Sequence, residues 1–97
     1  MNKDRIITLL TTRHQDIVRT FRVKSLGIFG SAAREELLDG SDIDVLVDFD
    51  GPATFDGYMD LKFYLERLFQ RNVDLVIGHT IKPRMRSLIA KDLIHVS

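Results

Sequence analysis

The sequence contains no cysteine among its 97 residues. That absence excludes disulfide bridges, zinc sites built on thiolates and cysteine nucleophiles. It is typical of a reducing compartment, and we therefore expect a cytoplasmic location.

The sequence also lacks an excess of charge of either sign and a long apolar run. Lys plus Arg and Asp plus Glu number 14 each, so the formal net charge is zero. Bulk electrostatic attraction to nucleic acid is not supported, and direct nucleic-acid binding is not expected. No stretch approaches the roughly 20 apolar residues of a membrane span. With 44% hydrophobic and 29% charged residues, the composition indicates one globular domain over residues 1–97.

The apolar residues follow helical and strand periods in alternation. The predicted helices are residues 3–21, 31–38, 56–70 and 84–92, with Ser31 as N-cap of the second. The predicted strands are residues 23–29, 42–49, 73–77 and a short edge strand at 93–96. Met85, Leu88 and Ile89 are expected to face inward from the last helix. This order predicts an α/β or α+β domain with a sheet of three or four strands.

Two carboxylates share one face of the second predicted strand. A period of two places Asp42 and Asp44 together, opposite the apolar Ile43, Val45 and Val47. Neighbouring ionised carboxylates repel unless a cation or a proton lies between them. Mg²⁺ or Mn²⁺, which prefer oxygen ligands, would relieve that repulsion.

A third carboxylate, Asp74, lies at the start of the third predicted strand on its non-core face. If this strand runs beside the second strand and parallel to it, Asp74 comes level with Asp42 and Asp44. Three carboxylates on one sheet face can hold two metal ions that clamp an in-line phosphoryl displacement.

The pair Gly30-Ser31 follows the first predicted strand and opens a helix. Backbone N–H groups at such a junction form an anion site, which the Ser31 hydroxyl and the charge of Arg34 can extend. This site faces the carboxylates only if the first two strands are antiparallel, which predicts a mixed sheet. Each feature alone is common, but their conjunction favours a phosphate-plus-metal site.

The arrangement Gly30-Ser31-x10-Asp42-x-Asp44 resembles the signature of the nucleotidyltransferase fold of the DNA polymerase β superfamily. The chain is most similar to the smallest members, the minimal nucleotidyltransferases (MNT), over nearly its whole length. The resemblance implies that Asp42, Asp44 and Asp74 are catalytic and bind two Mg²⁺ ions. It also implies that Gly30, Ser31 and Arg34 bind the nucleotide, with ATP as substrate. One departure is Glu35, where the family often has glycine.

MNT proteins are similar to antitoxins encoded beside HEPN-domain toxins, which are RNases. The resemblance implies AMP transfer from ATP to a tyrosine of the toxin, and a hetero-oligomer with it. Two other functions stay open at this point. The chain could be an antitoxin that neutralises by binding and occlusion without catalysis. It could also be a subunit of a small-molecule nucleotidyltransferase, although such enzymes usually carry an added helical domain.

Overall fold

The computed structural model describes residues 1–96 as four α-helices, one 3-10 turn and four strands. The helices are α1 (Lys3–Phe21), α2 (Gly30–Ala33), α3 (Phe55–Phe69) and α4 (Pro83–Asp92), and the 3-10 turn is Gly78–Thr80. The strands are β1 (Val23–Phe29), β2 (Ile43–Phe49), β3 (Val73–Ile77) and β4 (Ile94–His95). None of the helices within this range combines the length and apolarity that a membrane span needs.

The four strands form one sheet in the order β3-β2-β1-β4. Strand β1 is antiparallel to β2 and to β4, whereas β2 and β3 are parallel. The parallel pair is connected through α3, since parallel neighbours need a crossover. The predicted mixed sheet is therefore confirmed, with β4 as its short edge strand.

The core lies between one face of the sheet and the pair α1 and α3. The strands contribute alternate apolar residues, and each helix contributes one stripe, as the periods of two and 3.6 require. The fully buried side chains include Ile6, Leu10, Ile17, Leu26, Ile28, Ile43, Val45, Val47, Leu61, Leu65 and Phe69. The other face of the sheet carries the polar residues of β2 and β3.

Helix α2 is shorter than predicted, and Ser31 is not its N-cap. The helix ends at Ala33, and its N-cap is Phe29, so Ser31 lies inside the first turn. Glu35 has φ 59°, a left-handed conformation that a right-handed helix does not continue through. The chain then turns at residues 38–41, where the Leu38 carbonyl accepts from the Ser41 N–H at 3.0 Å.

The inward placement of two α4 residues is also wrong. Met85 is 45% exposed and Leu88 is 56% exposed, while Ile89 is half-buried. Helix α4 packs chiefly against β1 and α2. These contacts leave part of its apolar face exposed. Its spacing predicted the helix correctly but did not show how much of the helix is covered.

Candidate active site

A row of three residues crosses the open face of the sheet. Phe29 of β1 pairs with Asp44 of β2, and Asp44 pairs with Asp74 of β3. Neighbouring strands lie about 4.8 Å apart, so paired residues project side by side. The parallel pairing and the level register expected for Asp74 are confirmed, because β2 and β3 present these carboxylates together, opposite the core.

Asp42 completes the group from the loop that enters β2. It precedes the strand by one residue and is exposed. Burial raises the pKa of Asp44 above its usual value, and the negative charges of Asp74 and Asp42 raise it further. The nearby positive charge of Arg34 acts in the opposite direction. The three aspartates are thus close enough to repel one another electrostatically.

Gly30 lies directly against this group. Its φ is +68°, and a Cβ at this position would collide with the Asp44 carboxylate. Only glycine combines this left-handed conformation with such a close approach. The antiparallel pairing of β1 and β2 therefore brings the Gly30-Ser31 junction to the carboxylates, as the sequence predicts.

Arg34 lies near the site, but its guanidinium is engaged elsewhere. Its Nη1 donates to the Asp92 carboxylate at 2.6 Å, and its Nε donates to Glu36 at 3.3 Å. The hydrogen bond to Asp92 is the main cause that raises the pKa of Arg34. Asp92 is thus a neighbour of the candidate site that sequence reasoning missed. It lies 58 residues from Arg34 in the chain, and no local pattern links the two.

Two side chains of α3 hold strand β3 by hydrogen bonds to the backbone of the residues before and after Asp74. The Glu66 carboxylate accepts from the Val73 N–H at 2.9 Å. The Tyr58 hydroxyl donates to the Leu75 carbonyl. Both side chains are half-buried, so α3 holds the backbone on both sides of Asp74.

The segment before Asp42 is fixed by Arg71, which lies two residues before the start of β3. Its Nη1 donates to the carbonyls of Leu38 and Ser41, at 3.0 and 3.2 Å. The guanidinium also lies 3.8 Å from the Asp39 carboxylate. Arg71 therefore connects the start of β3 to the loop that positions Asp42, a role that its sequence position alone does not reveal.

The donor chemistry of the aspartates fits a divalent cation that prefers oxygen ligands. Burial is the first cause of the raised pKa of Asp44, and the unneutralised charges of Asp74 and Asp42 raise it further. Within residues 1–96, no group of three or more His, Cys, Asp or Glu side chains is arranged as a ready metal site. The residues thus fit Mg²⁺ in donor type and in register, and bound Mg²⁺ remains a prediction.

A mixed sheet that places carboxylates beside a glycine-serine strand-to-helix junction is the arrangement that the sequence motif of a nucleotidyltransferase predicts. The chain matches the model of the nucleotidyltransferase domain over residues 12–96 and belongs to that family. It is an enzyme of the nucleotidyltransferase class, and the resemblance inferred from the motif is confirmed.

Curated relatives match nearly the whole chain. The protein adenylyltransferase MntA of Thermococcus cleftensis is 31% identical over 93 residues, which cover 96% of this chain and 94% of the relative. A Methanocaldococcus jannaschii protein, provisionally named a protein adenylyltransferase, is 42% identical over 86 residues. That match covers 87% of this chain and 88% of the relative.

Solved structures share the fold. A provisionally assigned minimal nucleotidyltransferase has a TM-score of 0.76 at 29% identity, covering 97% of this chain and 95% of its own. A toxin–antitoxin structure with AMP-PNP has a TM-score of 0.75 at 17% identity, covering 90% and 72%. A complex of tri-AMPylated Shewanella oneidensis HEPN toxin with MNT antitoxin has a TM-score of 0.68 at 16% identity, covering 94% and 71%.

Proposed function

We propose that this chain is an Mg²⁺-dependent protein adenylyltransferase that acts as an antitoxin in the cytoplasm. It transfers AMP from ATP to a tyrosine hydroxyl of a partner HEPN RNase toxin, with which it forms a hetero-oligomer. The observation that carries this proposal is the Asp44–Asp74 pair beside Gly30. The names of the relatives support adenylyl transfer, and the toxin–antitoxin neighbours support the kind of partner.

Each site residue has a role in this proposal. Asp42, Asp44 and Asp74 would hold two Mg²⁺ ions, which would neutralise the triphosphate and stabilise charge on the transferred phosphoryl group when bound. Gly30 and Ser31 hold the β- and γ-phosphates through backbone N–H groups and the serine hydroxyl. Arg34 contributes positive charge at the end of α2.

The transfer is a single displacement at the α-phosphorus of ATP. The acceptor hydroxyl oxygen forms the new O–P bond while the bond between the α-phosphorus and its bridging oxygen breaks. Pyrophosphate leaves along the line of attack. Asp74 helps to activate the attacking hydroxyl and takes its proton, since this carboxylate lies on β3 at the margin of the row.

Neutralisation by binding alone is the second candidate function. It is favoured by the engagement of the Arg34 guanidinium, which donates to Asp92 and Glu36 and not into the candidate nucleotide site. The two functions differ in their dependence on the aspartates, because these face the open side of the sheet and not the core.

The double substitution Asp42→Asn/Asp44→Asn separates the two functions. The protein encoded beside this chain is mixed with ATP and with either the wild type or the variant, and its mass and its RNase activity are measured. We expect transfer to fall by orders of magnitude and neutralisation to be lost, because the phosphoryl charge loses its stabilisation. If the variant binds and neutralises fully at equal dose, occlusion is the function.

Folding of the double variant is checked independently. Removing like charges should keep or raise its free energy of unfolding. Asp50→Asn is the matched control, since Asp50 is an exposed aspartate directly after β2. It should leave both transfer and neutralisation unchanged.

A further inference from the structure

A pocket of about 280 Å³ opens on the sheet face that carries the aspartates. It lies between β3 and the first turns of α4. Its apolar walls come from Phe29, Val76, Ile81, Met85 and Ile89. Val76 follows Asp74 by two residues and therefore shares its face of the strand.

This pocket is continuous with the candidate active site through one residue. Asp74 lines its edge, whereas Gly30, Ser31 and Asp44 do not line it. Lys82, the N-cap of α4, also lines the pocket, and its side chain carries a positive charge. Thr80 lines the pocket too, and its hydroxyl donates to the Ile77 carbonyl at 2.7 Å. The pocket thus has mainly apolar walls, one carboxylate and one cationic residue.

The direction of the displacement indicates which reactant enters this pocket. Attacking and leaving oxygens lie roughly in line on opposite sides of the phosphorus. If pyrophosphate leaves toward Gly30 and Ser31, the attacking oxygen approaches from the Asp74 side. A group that occupies the pocket beside Asp74 is therefore the acceptor.

The chemistry of the walls indicates the class of acceptor. A phenol has an apolar ring and a polar tip, which matches apolar walls that end at a carboxylate. A serine or threonine side chain has too little apolar surface to use these walls. The positive charge of Lys82 also favours the phenolate form of an attacking hydroxyl.

We propose that the pocket between β3 and α4 binds the aromatic ring of the acceptor tyrosine, with Met85 as a specificity-determining wall. This inference rests on the proposed adenylyl transfer. It adds that selection of an aromatic hydroxyl is built into this chain and does not depend only on how the partner docks.

The substitution Met85→Gln tests the pocket, because it keeps the length of the side chain and makes the wall polar. Leu88→Gln is the matched control, since Leu88 is a similarly exposed apolar residue of α4 outside the pocket lining. Transfer of AMP to the protein encoded beside this chain is followed by mass, with the modified residue mapped by peptide analysis. Affinity for AMP-PNP with Mg²⁺ is measured by calorimetry on the same proteins.

We expect Met85→Gln to raise the KM for the acceptor protein on the order of tenfold, the effect of losing part of one buried apolar side chain. AMP-PNP affinity and thermal stability should stay unchanged, Leu88→Gln should behave as wild type, and the modified residue should be a tyrosine.

Other results overturn the inference. Weakened AMP-PNP binding in Met85→Gln would show that the pocket holds the nucleobase. An unchanged KM, an equal change in Leu88→Gln, or modification of a serine or threonine would show that the pocket does not select the acceptor. If the wild type transfers no AMP, the proposed function itself fails. If the wild type transfers AMP and Met85→Gln does not change this transfer, only the inference about the pocket fails.

Discussion

Asp44 is the residue at which the stability of the fold and the proposed binding of cations conflict. Its carboxylate lies against Gly30 and next to Asp74, on a face that no helix fully covers. Burial and two neighbouring negative charges raise its pKa, and the positive charge of Arg34 offsets this in part. A site that holds cations carries this repulsion whenever the cations are absent.

The pKa direction of Asp44 sets the sign of a pH effect on stability. Because the folded-state pKa is raised, the folded protein binds more protons than the unfolded chain between the ordinary aspartate pKa and the raised value. Stability contributed at this residue is therefore present below that window and is lost as the pH rises through it. Above that window and without metal, the ionised Asp44 destabilises the fold.

We therefore predict that Asp44→Asn is more stable than the wild type at pH 7 in a chelating buffer. This difference in stability should disappear as the pH falls below the ordinary aspartate pKa, where the wild-type residue is also neutral. It is measured from the urea midpoints of both proteins at pH 7 and at that low pH, with Asp50→Asn as control. The claim that ionised Asp44 destabilises the fold is contradicted if the difference in stability persists unchanged at low pH. It is also contradicted if Asp44→Asn is less stable than the wild type at pH 7.

At the scale of the element, the end of α2 is determined by one unfavourable residue. Glu35 has φ 59° and is exposed, without the conformational freedom that glycine has in this region. Left-handed backbone costs most residues roughly 1–2 kcal/mol. This backbone strain lies directly after the Gly30-Ser31 junction, which we propose to bind phosphate.

We predict that Glu35→Gly raises the free energy of unfolding by about 0.5–1 kcal/mol, since relief of the strain exceeds the added freedom of the unfolded chain. Glu36→Gly is the control, because Glu36 is an exposed neighbour whose φ is not positive. That variant should lose stability instead. Chemical denaturation measures the free energy of unfolding of both variants. If Glu35→Gly loses as much stability as Glu36→Gly, Glu35 is not strained.

At the scale of the whole molecule, the sequence predicts the sheet and the row of aspartates because both follow from short-range patterns. A period of two assigns Asp44 and Asp74 to the open face, and the need for convergence with Gly30 implies the strand directions. Those inferences use only the alternation of apolar and polar residues along each strand and the order of the elements, both of which can be read from short stretches of sequence.

The contacts that support the site could not be predicted in the same way. Arg34 meets Asp92, and Arg71 meets the carbonyls of Leu38 and Ser41, across 30 or more residues of chain. Such pairs depend on how the elements pack in three dimensions, and no local pattern encodes them. The exposure of Met85 has the same origin, because periodicity shows that a helix has an apolar face but not what covers it.

Metal-dependent transfer of AMP to a protein is the central claim, and the intact mass of the acceptor tests it most directly. The protein encoded beside this chain is incubated with wild-type enzyme and ATP, in Mg²⁺ or in excess chelator, and weighed by mass spectrometry. The account predicts a gain of one or more AMP groups in Mg²⁺ and none in chelator. No gain in Mg²⁺, or an equal gain in chelator, would contradict it.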